Sequence, residues 1–371
     1  MIKRRAALLL SLLTALAVLA GCGERRVLER LGFIQVVAYD PGLDNDRLKV
    51  SFYLPKFGSE FGSTKGEFLT ADARSSKEAK AKISRQTNWE MVSGQLRNVL
   101  VAESLARRGI GPHIDTLIRD PTISPRVKIS IVEGEASPIL KKTYEQHPST
   151  SIYIDRLLES EILKQVIPRV SLFEFERDLL DDGIDPALPI LKDLGDNLEI
   201  AGLAMFRGDK YVGKIEADDI TIFSLLYRNN KKLEIYLPLD DDRQGPSHVM
   251  LNAVKSRREV KVKRQPSGQF ELQIGIRARA LVTEYRGAFK IDSDRQRKQL
   301  EQKISEKLSG RAEELMSLMQ KKKSDSLGLG KYVRNSLSYR AWKDLNWQEE
   351  FPEAQISCEI RVELQDYGKF R

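Results

Sequence analysis

The side chains with the widest chemical reach in this 371-residue chain are two cysteines, Cys22 and Cys358, and three histidines, His113, His147 and His248. The histidines are far apart in sequence, and two of them adjoin prolines. No pair has the short helical spacing that lets two imidazoles grip one zinc ion. They read as structural or surface groups. Gly328-Leu329-Gly330 is only a G-x-G; no strand leads into it and no third glycine follows, so it reads as a helix-ending turn and not as a phosphate cradle. Asp181-Asp182 and Asp240-Asp241-Asp242 offer carboxylates for a cation but lack the spaced oxygen ligands of a calcium loop, and they read as solvated loops. No G-x-S-x-G elbow occurs. A triad assembled from distant residues would leave no local signature. On this reading the chain is not an enzyme and carries no cofactor, metal or catalytic residue.

Cys22 is the exception. Met1-Ile2-Lys3-Arg4-Arg5 is a positive n-region, and residues 6–20 are apolar apart from Ser11 and Thr14. That run is shorter than the ~20 residues that cross a bilayer as a helix. It has the character of a secretory signal, which the mature protein loses. It ends in Leu19-Ala20-Gly21-Cys22, which looks like a bacterial lipobox: the thiol is alkylated by a diacylglycerol, and cleavage makes Cys22 the new N-terminus. Two acyl chains, at about 0.8 kcal/mol per buried CH₂, suffice for stable anchoring. The rival reading is an uncleaved anchor with an incidental cysteine. Both put the rest of the chain outside the cytoplasm. With Cys22 lipidated, Cys358 has no disulfide partner. It lies on the apolar face of an alternating strand, residues 356–364, and reads as a small buried hydrophobe.

The elements that must carry these residues follow from composition and pattern. Hydrophobic residues at 41% and charged ones at 31% describe an ordinary globular chain, long enough for two or three domains. Without Lys3, Arg4 and Arg5, 58 of the 61 basic residues face 53 acidic ones. This small surplus mildly favours an anionic membrane surface and gives no case for nucleic acid.

Residues 33–39 and 48–54 read as strands around the turn Asp40-Pro41-Gly42. A glycine-rich loop follows over 58–66. Ser75 or Ser76 caps a polar helix to about Thr87. Leu96–Val101 and Val127–Val132 read as strands, and 103–108 and 113–119 as short helices, the first closed by Gly109. Residues 152–182 turn helical, broken at Pro168, and Pro186 and Pro189 mark a change of structure. This alternation predicts an α/β domain with some parallel pairing. Residues 200–206 and 211–215 form a hairpin around Arg207-Gly208-Asp209-Lys210, followed by a helix from Asp218 to Leu226. The main boundary is set just before this hairpin: signal peptide 1–21, N-terminal α/β domain 22–197, C-terminal α+β domain 198–371.

In the C-terminal half, 233–239, 249–254, 259–263 and 272–282 read as strands. A helix from about Asp292 to Lys322 then places Leu300, Ile304, Leu308, Ala312, Leu315 and Met319 on one face. That stripe either lies on the sheet or is kept for a partner. A short helix near 332–342 and the Cys358 strand complete the lobe, expected as antiparallel strands packed on the long helix.

Several of these segments together resemble a known family. Residues 22–31, Cys-Gly-Glu-Arg-Arg-Val-Leu-Glu-Arg-Leu, are similar to the lipid-cysteine segment of the Ger(x)C spore germination lipoproteins, the C subunits of nutrient germinant receptors. The hairpin 202–213 resembles a second family signature. The third is the long helix followed by Asp325-Ser326-Leu327-Gly328-Leu329-Gly330, then Trp342, Trp347, Phe351-Pro352 and the last strand. The sequence departs from the pattern at Gly23, where an aromatic is frequent, and at Asp366-Tyr367-Gly368, which replaces a more basic ending.

The resemblance implies a multi-lobed ectodomain of about three lobes, lipid-anchored on the outer face of the spore inner membrane. It also implies two integral-membrane receptor subunits, of A and B type, as partners, with a role in assembly or signalling. Whether this subunit binds a small molecule is left open. The alternative reading is a solute-binding lipoprotein of a transporter, which would show two similar α/β lobes around a hinge; an envelope hydrolase is a third.

Overall fold

Apolar runs in the first half and strict alternation in the second produce two sheets of different character. The structure, a computed structural model, describes residues 4–5, 30–44, 46–55, 66–144, 147, 149–239, 247–287, 289 and 293–365. Cys22 and residues 6–21 before it, residues 240–242 and residues 366–368 lie outside the described residues. The strands are β1 Leu31–Phe33, β2 Val36–Pro41, β3 Leu48–Pro55, β4 Gly66–Ala73, β5 Glu90–Val92, β6 Asn98–Ala102, β7 Lys128–Val132, β8 Ala187–Asp193, β9 Leu198–Arg207, β10 Lys210–Glu216, β11 Leu233–Leu239, β12 Ser247–Arg264, β13 Phe270–Arg286 and β14 Gln355–Leu364. The helices are α1 Ser76–Ile83, α2 Glu103–Ala106, α3 Gly111–Ile118, α4 Ser137–Lys141, α5 Thr150–Leu163, α6 Leu172–Leu180, α7 Ile220–Tyr227, α8 Asp294–Lys322, α9 Leu329–Ser336, α10 Tyr339–Lys343 and α11 Trp347–Glu350.

The larger sheet has the order β10-β9-β8-β7-β6-β2-β3-β4. Its centre, β2-β6-β7-β8, is parallel, and both flanks are antiparallel. Parallel strands covered on both faces have no need of alternation, and every residue of β6 is buried. Adjacent residues serve opposite faces. Val36, Ala38 and Leu100 pack in one core with Ile154 and Leu158 of α5. Val37, Tyr39, Val99 and Val101 pack in the other with Ile114 of α3 and Phe175 of α6. A separate two-stranded parallel ladder joins β1 to β5. The expected boundary at 198 falls between β8 and β9, which are hydrogen-bonded partners, so the hairpin after it stays with the sheet before it.

The smaller sheet runs β11-β12-β13-β14. Its first three strands are antiparallel as expected; β14 is parallel to β13. A parallel return needs a crossover connection, and here α8, 29 residues long, supplies it. All six residues of the expected stripe are buried. The stripe therefore lies on the chain's own sheet. α8 also covers the outer edge of β14, whose backbone N–H groups need acceptors. Ile360 N donates to Ser309 Oγ at 2.9 Å, Val362 N to Ser305 Oγ at 2.9 Å and Leu364 N to Glu301 Oε1 at 2.8 Å.

Several expectations are corrected. The segments 249–254 and 259–263 are one strand, β12, kept continuous by bulges around Ala253, whose φ is 50°. β4, β8 and α4 carry no clear periodic signal and were not expected. In β8 the prolines point away from a strand, yet the ladder to β7 starts at Ile190, one residue past Pro189, so the missing N–H leaves no gap there. Gly328 and Gly330 open a helix instead of ending one.

Candidate functional site

The hairpin 202–213, the segment 325–330 and Trp347 with Phe351 are remote in sequence, and the fold brings them to one buried joint between the two sheets. α8 ends at Lys322 with Lys323 left-handed at φ 53°, which turns the chain back toward the larger sheet. Ser324 Oγ then donates to the Phe206 carbonyl at 2.6 Å. The next residue, Asp325, is 2% exposed. Its carboxylate accepts from Leu329 N at 2.9 Å, Gly330 N at 2.7 Å and Trp347 Nε1 at 2.9 Å. The first N–H groups of a helix have no partner within it, and an anion at that end is favoured. Asp325 fills that role for α9, so the N–H groups of Leu329 and Gly330 are taken by the chain's own carboxylate.

A second buried carboxylate completes the joint. Asp185 Oδ2 accepts from Asp325 N at 2.9 Å, and Asp185 Oδ1 from Gly208 N at 2.9 Å. Asp185 N donates in return to the Asp325 carbonyl at 3.0 Å. Burial pushes the Asp325 carboxyl up to about 7, against the pull of its three donors and with a further push from Asp185. Burial also raises Asp185, opposed by the N–H groups of Gly208 and Asp325. Glycine is required at two points. Gly208 turns the hairpin at φ 58°, and a Cβ on Gly330 would stand 2.4 Å from Trp347 Nε1. At the hairpin tip, Asp209 Oδ2 accepts from Gly111 N at 3.1 Å and the Asp209 carbonyl from Ile110 N at 3.0 Å, so the turn is stitched to the start of α3.

Ion pairs rim the joint. Glu349 meets Arg207 at 2.9 Å and Lys323 at 3.0 Å. Asp181 meets Arg334 at 2.8 Å and Asp182 meets Lys343 at 3.0 Å, so this acidic pair is engaged by α9 and α10 instead of lying free in a loop. The space left inside is about 90 Å³. The carboxylate oxygens point at the protein's own donors, and the arrangement acts as a clasp holding the hairpin, α9 and α11 in register.

The structure does not gather the other candidates. His113 stacks on Tyr39 at 6.2 Å, and burial lowers its pKa. His147 stacks on Tyr153 at 3.6 Å, and His248 Nε2 lies 2.8 Å from Glu284 Oε1. Among the described residues no group of three His, Cys, Asp or Glu side chains could hold a metal ion. Cys358 is buried and its thiol is pushed up to about 12 by that burial, with Glu313 adding to it, as suits an inert core group. Cys22 is not among the described residues. Sequence reasoning missed Asp185, which sits beside Pro186 without a local motif. Asp325 is legible in the sequence only as part of the family-like segment 325–330, with no role of its own.

Among the described residues no helix is long and apolar enough to cross a membrane. Residues 24–193 match the spore germination protein N-terminal domain, and residues 201–368 match the spore germination B3/GerAC-like C-terminal domain. Spore germination protein GerQC of Bacillus cereus is 25% identical over 351 residues, covering 94% of this chain and 96% of that one. The putative spore germination protein YfkR of Bacillus subtilis (strain 168) is 23% identical, with 94% of each chain covered. The crystal structure of the GerBC protein superposes with a TM-score of 0.59 at 17% identity, covering 92% of this chain and all of the other, which gives the fold. The two dissimilar sheets and the match to both domains along the chain thus agree, and the protein belongs to the GerAC-type spore germination family, the C-subunit family of germinant receptors.

Proposed function

We propose that this protein is the lipid-anchored, non-catalytic C-type subunit of a spore nutrient germinant receptor. In this reading Cys22 carries the lipid, and the chain is held on the outer face of the spore inner membrane. Its partners are the two integral-membrane subunits, of A and B type. The observation that carries the reading is the ordered match of both germination domains across residues 24–193 and 201–368, directly after the Leu19-Ala20-Gly21-Cys22 segment.

The geometry supports assembly over turnover. Two of the three segments that resemble family signatures, the hairpin 202–213 and the stretch from 325 to 351, meet at a clasp whose carboxylates are engaged by internal donors. A tether also raises the effective concentration of the chain for membrane partners without any added contact. The larger sheet with its helices and the smaller sheet with α8 are dissimilar units, which disfavours a two-lobed solute binder. The cut near 198 is a division between sequence domains in this reading, with the 198–216 hairpin acting as the bridge.

The test is Cys22→Ala in the native chain, followed by fractionation of dormant-spore membranes and cross-linked pull-down. Release of the variant from the membrane, with loss of two co-purifying polytopic subunits and of nutrient-triggered germination, is the expected result. A variant that stays membrane-bound with germination intact rejects the anchor as its working mechanism. Recovery of an ATP-driven importer with the wild-type chain replaces the receptor reading by solute delivery.

A further inference from the structure

The face of the smaller sheet turned away from α8 is an open trough of about 1600 Å³. Seven basic and three acidic residues line it once Arg258, turned inward onto Tyr332, is set aside, a surplus of four, whereas the whole chain carries +8 over 371 residues. The surplus is aligned. In the strand register Arg257 of β12 stands opposite Arg277 of β13, and Arg277 opposite Arg361 of β14, so three guanidinium groups form one row across three strands. In the next row Lys255 faces Arg279. Like charges directly opposed across strands are destabilising. Part of the row is neutralised locally: Arg361 pairs with Glu359 at 2.7 Å and Arg279 with Glu363 at 2.8 Å. Lys255, Arg257 and Arg277 are exposed and have no carboxylate partner among the described residues. A row in which two of three guanidinium groups lack a carboxylate among the described residues presents a ready site for an anion.

We propose that this trough docks an acidic polypeptide segment of a protein partner. Three features favour a chain segment over a bilayer. The face holds a cavity of about 1600 Å³ and not a flat plane, and Arg277 lies on the middle strand of the row, where a flat headgroup plane would meet the flanking strands first. Gly275 interrupts the floor next to Arg277, and the direction of its missing side chain is empty, which leaves room for a backbone to pass. Gln273 and Arg277 on the floor, with Ser357 and Arg361 beside them, provide donors four strand residues apart, about 13 Å, the repeat at which an extended acidic segment presents every fourth side chain. The inference rests on the proposed function only in expecting a protein as partner; its test needs no germination readout, so the two can fail separately.

The experiment places a nitroxide on Gly275→Cys in the full chain, reconstituted into phosphatidylcholine vesicles, with the unsubstituted chain as the labelling blank; Cys358 is buried. The probe is an alternating Glu-Ser dodecapeptide. The expected result is immobilisation of the label by the peptide at low salt, reversed by added salt. Apparent affinity should drop about tenfold or more in the Arg257→Glu/Arg277→Glu background, because like charges then face the peptide. Arg85→Glu/Arg126→Glu, with the same net charge change on the surface of the other sheet's lobe, should respond as the wild type does. Equal loss in both backgrounds would overturn the proposal in favour of diffuse net charge. A label that ignores the peptide overturns it outright. Immobilisation on changing to phosphatidylglycerol-containing vesicles without peptide assigns the face to the membrane instead.

Discussion

The clasp around Asp325 and the basic face of the smaller sheet handle charge in opposite ways. At the clasp two carboxylates are buried, and their oxygens meet backbone and indole N–H groups at 2.7–2.9 Å. On the basic face three cationic side chains stand in or beside an arginine row, exposed and without a carboxylate among the described residues. A buried charge is tolerable only when its hydrogen bonds are made, so the first region must be closed to function as structure. An exposed charge costs little, and the second region can stay open. The contrast separates groups the fold consumes from groups it leaves for others.

The largest effect expected from breaking this contrast is at Asp325. Asp325→Ala strands Leu329 N, Gly330 N and Trp347 Nε1 in a dry site, and should lower stability by about 3–5 kcal/mol in chemical denaturation. A loss below about 1 kcal/mol would mean that the clasp is not a stabilising element.

The same residue sets a pH dependence. Its folded-state carboxyl titrates near 7, above its usual value of 3.8, so between those values the folded chain holds a proton that the unfolded chain has released. Stability from this group is full below about 4 and falls as pH rises toward 7, by at most about 1.4 kcal/mol per pH unit. Asp325→Asn should flatten that slope in melts compared across the same range, and an unchanged slope would move the titration to another group, Asp185 first.

Smaller again is Gly330→Ala. The added Cβ would approach Trp347 Nε1 to 2.4 Å and Gly183 Cα to 2.8 Å. Overpacking of this kind costs about 1–3 kcal/mol. It should also change Trp347 fluorescence, since the indole loses its bond to Asp325.

These two regions were unequally legible in the sequence. The period-two pattern of β13 and the four-residue stripe of α8 gave strand, helix and buried face directly, because one side of each is solvated and the alternation survives. β8 was hidden by Pro189, whose effect depends on where its neighbour β7 begins. The clasp was legible only as a string of residues: Asp325 lies 140 positions from Asp185, and no local pattern encodes that meeting. The arginine row was hidden for the same reason. Arg257, Arg277 and Arg361 each look like an ordinary solvent-facing residue in their own strand, and only the register aligns them.

That alignment supplies the mildest and most discriminating prediction. Arg277 is the middle of the row, opposed by Arg257 on one side and Arg361 on the other. Arg277→Gln keeps a polar side chain of similar reach and removes both like-charge oppositions. It should therefore raise stability by about 0.2–1 kcal/mol at low salt. Added salt screens the repulsion in the wild type and should shrink the gain. Most surface substitutions do nothing measurable or cost a little, so a salt-sensitive gain at this one position marks a charge retained against the interest of the fold. Arg85→Gln, outside the row, should stay near zero at every salt concentration. If Arg277→Gln destabilises the chain, the guanidinium is tied into the sheet as firmly as Asp325 is tied into the clasp, and the two regions differ in sign of charge but not in kind.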